Sequence, residues 1–209
     1  DADPKTYYEK LVRDFPDLPI SIQLLDEPLE ELLTEARAYA SIAPNIVIKV
    51  PMFGDGRGVA VLSKLLKERI KVNVTGLMTA EQLLLTLMTG NPPTYVSLFF
   101  NRIKDGGGSP EKEIENARKL IDKLGFPTEI IVGSIRKIDD VREGIMAGGH
   151  IVTVTPKVIW EMVQHPQSDK FIQQSQEAWE KLIGSKPKTN GEVKIMKVKK
   201  TLIHPKAAT

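Results

Sequence analysis

The sequence predicts an α/β protein whose parallel sheet curls toward a barrel. Six short apolar runs rich in β-branched residues alternate with helical segments, and that rhythm belongs to a parallel sheet with crossover helices. Nearly every run also carries one apolar face and one small or polar face: Ser21 and Gln23, Lys49, Asn73 and Thr75, Ser97, Ser134, Thr153 and Thr155. An open sheet covered by helices on both sides is apolar on both faces, whereas a barrel mouth gathers polar groups from the ends of several strands.

Taken in order, the chain opens with a short helix around Tyr7 to Val12. Leu18 to Leu24 alternates apolar and polar residues, a strand signature, and Pro28 to Ala43, rich in Glu, Leu and Ala, reads as a helix. Asn45 to Pro51 is a buried strand that stops where proline can no longer donate to a ladder. The loop Gly54-Asp55-Gly56-Arg57-Gly58 could cradle a phosphate, although turn chemistry is its plainer reading, and a helix follows to about Arg69. Lys71 to Leu77 is a strand, and Thr79 to Thr89 is a helix with Thr79 as N-cap and Gln82 at N3. Thr94 to Phe100 is a strand placing Tyr95, Ser97 and Phe99 on one face, and Ser109-Pro110 opens a helix through Leu124. Glu129 to Ile135 and Ile151 to Thr155 are strands, Asp139 to Met146 is a helix between them, and Pro156 to Val163 and Ser168 to Ile183 are helices.

Composition narrows the classes. The 209 residues, 41% hydrophobic and 27% charged, suit one large globular domain over 1–184 with a basic extension over 185–209. With no cysteine, disulfides and thiolate metal sites are excluded, and His150, His165 and His204 lack metal-ligand spacing. No metal and no cofactor are expected. No apolar run approaches a membrane span, so no membrane partner is expected, no leader peptide is read, and the location expected is cytoplasmic. Residues 185–209 hold seven lysines against one acid, Glu192, but lack arginine and aromatic interleaving. That extension is read as solvated, with no nucleic-acid partner, and Val193 to Ile203 as an added strand or a segment that docks on a neighbouring subunit.

Lys49 stands out within its strand. Alternation puts it on one face with Val47, pointing into the protein near the strand end. An unpaired ammonium there costs several kcal/mol, and the cheaper outcome is a depressed pKa and a neutral amine able to attack a ketone. The other outcome is a buried stem whose head reaches water or a carboxylate.

A set of motifs resembles the transaldolase and fructose-6-phosphate aldolase family of class I aldolase barrels. In order these are Ile48-Lys49-Val50-Pro51, Asn73-Val74-Thr75, Ala80-Glu81-Gln82, Tyr95-Val96-Ser97 with Asn101-Arg102-Ile103, Gly133-Ser134-Ile135-Arg136, His165-Pro166 with Ser168-Asp169, and Trp179-Glu180-Lys181. The resemblance implies that Lys49 forms a Schiff base with the ketose C2 and then holds a dihydroxyacetone unit as an enamine. It implies that Asn73 lines that site and that Thr75 helps hold the water relaying protons. Gln23 matches the position of a catalytic glutamate or glutamine, Ser97 and Phe99 match the serine and phenylalanine of transaldolases, and Arg102, Ser134 and Arg136 match the substrate phosphate site. Guanidinium groups and a hydroxyl suit phosphate through charge-assisted hydrogen bonds.

The function implied is transaldolase transfer between sugar phosphates of the fructose 6-phosphate, sedoheptulose 7-phosphate and erythrose 4-phosphate class, in the pentose phosphate pathway, by a homo-oligomer. The alternatives are an aldolase releasing dihydroxyacetone, which Gln23 favours and Ser97 and Phe99 oppose, and an inactive phosphosugar-binding barrel. The fold implied is a (β/α)8 TIM barrel whose strands 3 to 8 are the six read here. Motifs for its first two βα units, which bear an acid/base aspartate and an asparagine, do not occur, so about 30 to 40 preceding residues are expected to lie outside this sequence. Other departures are the longer Met52 to Gly58 loop, Leu98 where proline is common, and Gly76-Leu77-Met78 where the family has bulkier residues.

Overall fold

A computed structural model describes residues 3–183, so the basic extension and the Val193 to Ile203 segment lie outside the described residues. The chain divides into two compact units, Asp1–Val163 and Gln164–Thr209. In the first, Asp3 caps α1 (Pro4–Asp14) by accepting from Thr6 N at 3.2 Å, with proline at the first helical position. There follow β1 (Ile20–Gln23), α2 (Leu29–Ala40), β2 (Ile46–Pro51), α3 (Arg57–Lys67), β3 (Val72–Leu77) and α4 (Ala80–Leu87). Next come β4 (Tyr95–Phe99), α5 (Phe100–Asp105), α6 (Pro110–Leu124), β5 (Glu129–Gly133), α7 (Ile138–Met146), β6 (Ile151–Val152) and α8 (Pro156–Val163). The second unit contributes α9 (Pro166–Ile183).

All neighbouring strands pair parallel in chain order, β1-β2-β3-β4-β5-β6. Strand order in a doubly wound sheet reverses at a switch point; here it never does, and the six strands form a curled half-barrel. One face is sealed. Ile22, Ile48, Val50, Val72, Val74, Val96, Leu98, Ile130 and Val132 are buried against helix residues such as Leu32, Leu62, Leu65, Leu83, Leu87, Ile114 and Ile121. Each such side chain contributes about 1.5–3 kcal/mol relative to exposure. The other face carries the polar set.

The expected N-cap at Thr79 is present, accepting from Gln82 N at 3.2 Å, while Gln82 Oε1 accepts from Met78 N at 2.7 Å. Several elements differ from expectation: α1 runs Pro4–Asp14 rather than Tyr7 to Val12, and β5 stops at Gly133 rather than Ile135, so Ser134 lies beyond the strand. The strand expected to run to Phe100 ends at Phe99, and α5 starts at once with no intervening loop. The last strand is two residues rather than five, because Thr155 is already capping α8: its hydroxyl accepts from Val158 N at 3.4 Å and its carbonyl from Ile159 N at 3.2 Å.

The join of β2 to α3 is tight. A Cβ on Gly58 would lie 2.3 Å from the Pro51 carbonyl oxygen, whereas one on Gly54 would meet nothing within 4 Å. We therefore expect Gly58→Ala to cost about 1–3 kcal/mol by overpacking, read as a lower urea midpoint, and Gly54→Ala to leave the midpoint unchanged.

Candidate functional site

The parallel register sets Gln23, Lys49 and Asn73 side by side across β1, β2 and β3. Gln23 is exposed and nothing among the described residues holds its amide. Lys49 is half-buried, and no carboxylate among the described residues pairs with it. Burial pulls its pKa below the ordinary 10.5, since desolvation disfavours the charged amine. Asn73 is buried and its Oδ1 accepts from Ser97 Oγ at 2.7 Å, which fixes the amide and leaves Nδ2 uncommitted among the described residues.

Thr75 sits one pleat further along β3, opposite Pro51. Its Oγ1 is buried without a hydrogen-bond partner. Such a group costs about 1–3 kcal/mol in desolvation, so its retention points to a bound water or ligand atom as partner. Just beyond it the β3–β4 register shifts between Val74 and Leu77, with Gly76 at φ 75° supplying a conformation L side chains rarely adopt.

Arg57, at the start of α3, joins the loops that follow β1 and β2. Its guanidinium pairs with Asp26, donates from Nη1 to the Glu27 carbonyl at 2.8 Å, places Nε 3.0 Å from Asp55 Oδ2, and stacks 4.3 Å from the Phe53 ring centroid. One side chain thereby ties the loop after Gln23 to the loop after Lys49.

The phosphate candidates gather around α5. Arg102 lies on it, its guanidinium 5.9 Å from the ring centroid of the part-buried Phe99. Phe99 in turn packs against Gly133, where an added Cβ would meet its ring at 3.2 Å. Ser134 follows with φ 60°, and its carbonyl accepts from Asn101 Nδ2 at 2.8 Å. Arg136 forks onto Asp105, Nη1 donating to Oδ1 at 2.9 Å and Nη2 to Oδ2. Those hydrogen bonds, with the charges of Arg136 and Arg102, hold the Asp105 carboxyl below its ordinary range.

Geometry thus sets Gln23, Lys49 and Asn73 in a row and places Arg102, Ser134 and Arg136 on or beside α5, with Arg136 already paired to Asp105. A family model described as Transaldolase/Fructose-6-phosphate aldolase matches residues 6–201. The chain belongs to that family. A probable transaldolase of Thermoanaerobacter sp. (strain X514) is 39% identical to it over 173 residues, 82% of this chain and 78% of the relative. One of Streptococcus agalactiae serotype V is 37% identical over 164 residues, 78% of this chain and 74% of its own. Probable transaldolase 1 of Listeria monocytogenes serotype 4b is 38% identical over 164 residues, 78% of this chain and 75% of its own.

For this family member, sequence reasoning assigned no role to Arg57, Asn101, Asp105 or Asp140. Asp140 is fully buried and its Oδ2 accepts from Asn101 Nδ2 at 2.6 Å, Arg136 N at 2.9 Å and Lys137 N at 3.1 Å. Burial alone would raise its carboxyl pKa, yet these bonds outweigh it and hold the acid below its ordinary range. The visible signal was an acid in the first turn of the helix after Gly133-Ser134-Ile135-Arg136. Among the described residues, no three His, Cys, Asp or Glu side chains cluster to hold a metal ion, and no helix is long and apolar enough to cross a membrane.

Replacing an orphaned hydroxyl and breaking a made bond have opposite costs. Thr75→Val is expected to leave stability unchanged or raise it, and Ser97→Ala to lower it by about 1 kcal/mol, both read from urea midpoints.

Proposed function

We propose that this protein is a transaldolase that moves a dihydroxyacetone unit from a ketose phosphate to an aldose phosphate through a Schiff base on Lys49. The observation that carries the proposal is Lys49 itself: half-buried, without a carboxylate partner among the described residues, and with a lowered pKa. A paired lysine would be a poor nucleophile; an unpaired, desolvated one keeps its lone pair. The relatives' own description as probable transaldolases supports transfer over release.

The neutral amine attacks the ketose C2, and loss of the carbinolamine hydroxyl as water leaves an iminium. Cleavage of C3–C4 then sends its electron pair toward the iminium nitrogen, releases the aldose phosphate and retains the three carbons as an enamine. Addition of that enamine to the acceptor aldehyde remakes a carbon–carbon bond, and hydrolysis frees Lys49. In this reading Asn73, oriented by Ser97, and Gln23 hydrogen-bond the sugar hydroxyls, and Phe99 forms a wall. Thr75 holds the water that relays protons, which gives its orphaned hydroxyl a partner. Arg102, Ser134 and Arg136 take the phosphate. A closed (β/α)8 barrel, a cytoplasmic homo-oligomer and work on pentose-pathway sugars belong to the same proposal and rest on the family.

Incubation with fructose 6-phosphate, borohydride reduction and peptide mass spectrometry should place a three- or six-carbon adduct on Lys49, absent from Lys49→Met. An adduct elsewhere, or none, would sink the proposal. Free dihydroxyacetone accumulating in the presence of erythrose 4-phosphate would turn transferase into aldolase. Because burial favours the neutral amine, the initial labelling rate should rise with pH through a midpoint below 10.5. Thr75→Val should lower kcat by about 10²-fold or more while leaving the fold intact.

A further inference from the structure

We infer that Asp140 is the positioning residue of the anion cradle, holding the Ser134–Lys137 turn to α5 through Asn101. The inference rests on the proposal that Arg102, Ser134 and Arg136 bind the substrate phosphate.

An acid in the first turn of a helix ordinarily caps that helix, and the bonds from Arg136 N and Lys137 N to Asp140 do so. The bond from Asn101 Nδ2 at 2.6 Å does something else, since Asn101 belongs to α5, the element that carries Arg102 and Asp105. The same amide nitrogen, with its two hydrogens, also donates to the Ser134 carbonyl at 2.8 Å, and Asn101 N donates to that carbonyl at 3.4 Å. Asn101 therefore bridges a buried carboxylate and the one serine of the cradle.

Ser134 needs that grip. Its φ of 60° lies in the left-handed region that disfavours an L side chain, and such conformations persist only where the surroundings enforce them. With its oxygen tied to Asn101, the Ser134 carbonyl is not left to repel an incoming anion. Further along the turn, Arg136 is held by both its backbone N–H, on Asp140, and its guanidinium, on Asp105. Among the described residues, every hydrogen-bonding anchor of the turn comes from α5 or from Asp140, while Ile135 packs into the core, and Asp140 is the fully buried polar anchor. Three donors converge on its Oδ2, bonds that a charged carboxylate accepts more strongly than a neutral carboxamide oxygen would, while Oδ1 is buried without a hydrogen-bond partner.

The experiment titrates inorganic phosphate calorimetrically into the full chain, wild type, Asp140→Asn and Asn101→Ala. Borohydride labelling of Lys49 by dihydroxyacetone, which carries no phosphate, and near-ultraviolet circular dichroism are measured on each. Both variants are expected to bind phosphate at least about tenfold more weakly, the scale on which misplacement by a fraction of an ångström is felt. Labelling should stay within about twofold of wild type, with the wild-type spectrum kept. Unchanged phosphate affinity in the variants overturns the inference. Parallel loss of phosphate binding, labelling and spectrum also overturns it, because Asp140 then merely holds the fold. A wild type that does not bind phosphate overturns it together with the assignment of the cradle. Weakened phosphate binding with an intact spectrum and no Lys49 labelling in any protein supports the cradle and removes the Schiff-base proposal.

Discussion

Each strand of the sheet sends alternate side chains to opposite faces, and helices seal only one of them. That constraint separates two solvents within a few ångströms. Ile48 and Val50 stand in a dry core; Lys49, between them in sequence, stands half-buried on the other face, the one that carries the polar set. The backbone ladder fixes how far its amine is drawn from water, so the lowered pKa follows from where the strand lies and needs no neighbouring charge. Asn73, Thr75 and Ser97 share the same alternation.

Local patterning made this much legible in advance. Period-two alternation identified the faces, and the caps at Thr79 and Ser109 gave helix starts that the structure retains. Where the reading failed, another requirement had displaced the local one. Helix α5 begins at Phe100 with no capping hydrogen bond and no turn residue before it, so Phe99 and Phe100 read as one strand. What favours the helix is tertiary: Phe100 and Ile103, three residues apart, both enter the core. The shortened β6 has the converse cause, since Thr155 serves the next helix.

The site residues divide the same way. Side chains on strands could be assigned because alternation says where they point. Asn101 and Asp105 could not, because their partners lie 31 to 39 residues away and nothing local announces the pairing; for Asp140 only the helix-capping half of its role, on Arg136 N and Lys137 N, was local. Energetically the two groups also differ. The fork between Arg136 and Asp105 is solvent-exposed, so water screens it and it contributes little. The Asp140 carboxylate is buried, and stranding its donors costs several times more.

The near-contact of Gly58 with the Pro51 carbonyl has a consequence for how the chain can be altered. Within the reach 52–56 only Gly54, Asp55 and Gly56 are exposed, whereas Met52 and Phe53 pack against the core and Phe53 lies beneath the Arg57 guanidinium. Insertions or exchanges confined to 54–56 change what borders the opening while the core contacts of Met52 and Phe53 stay in place. A loop graft between relatives within 54–56 is therefore a modular operation, and one that carries residue 58 along with it is not.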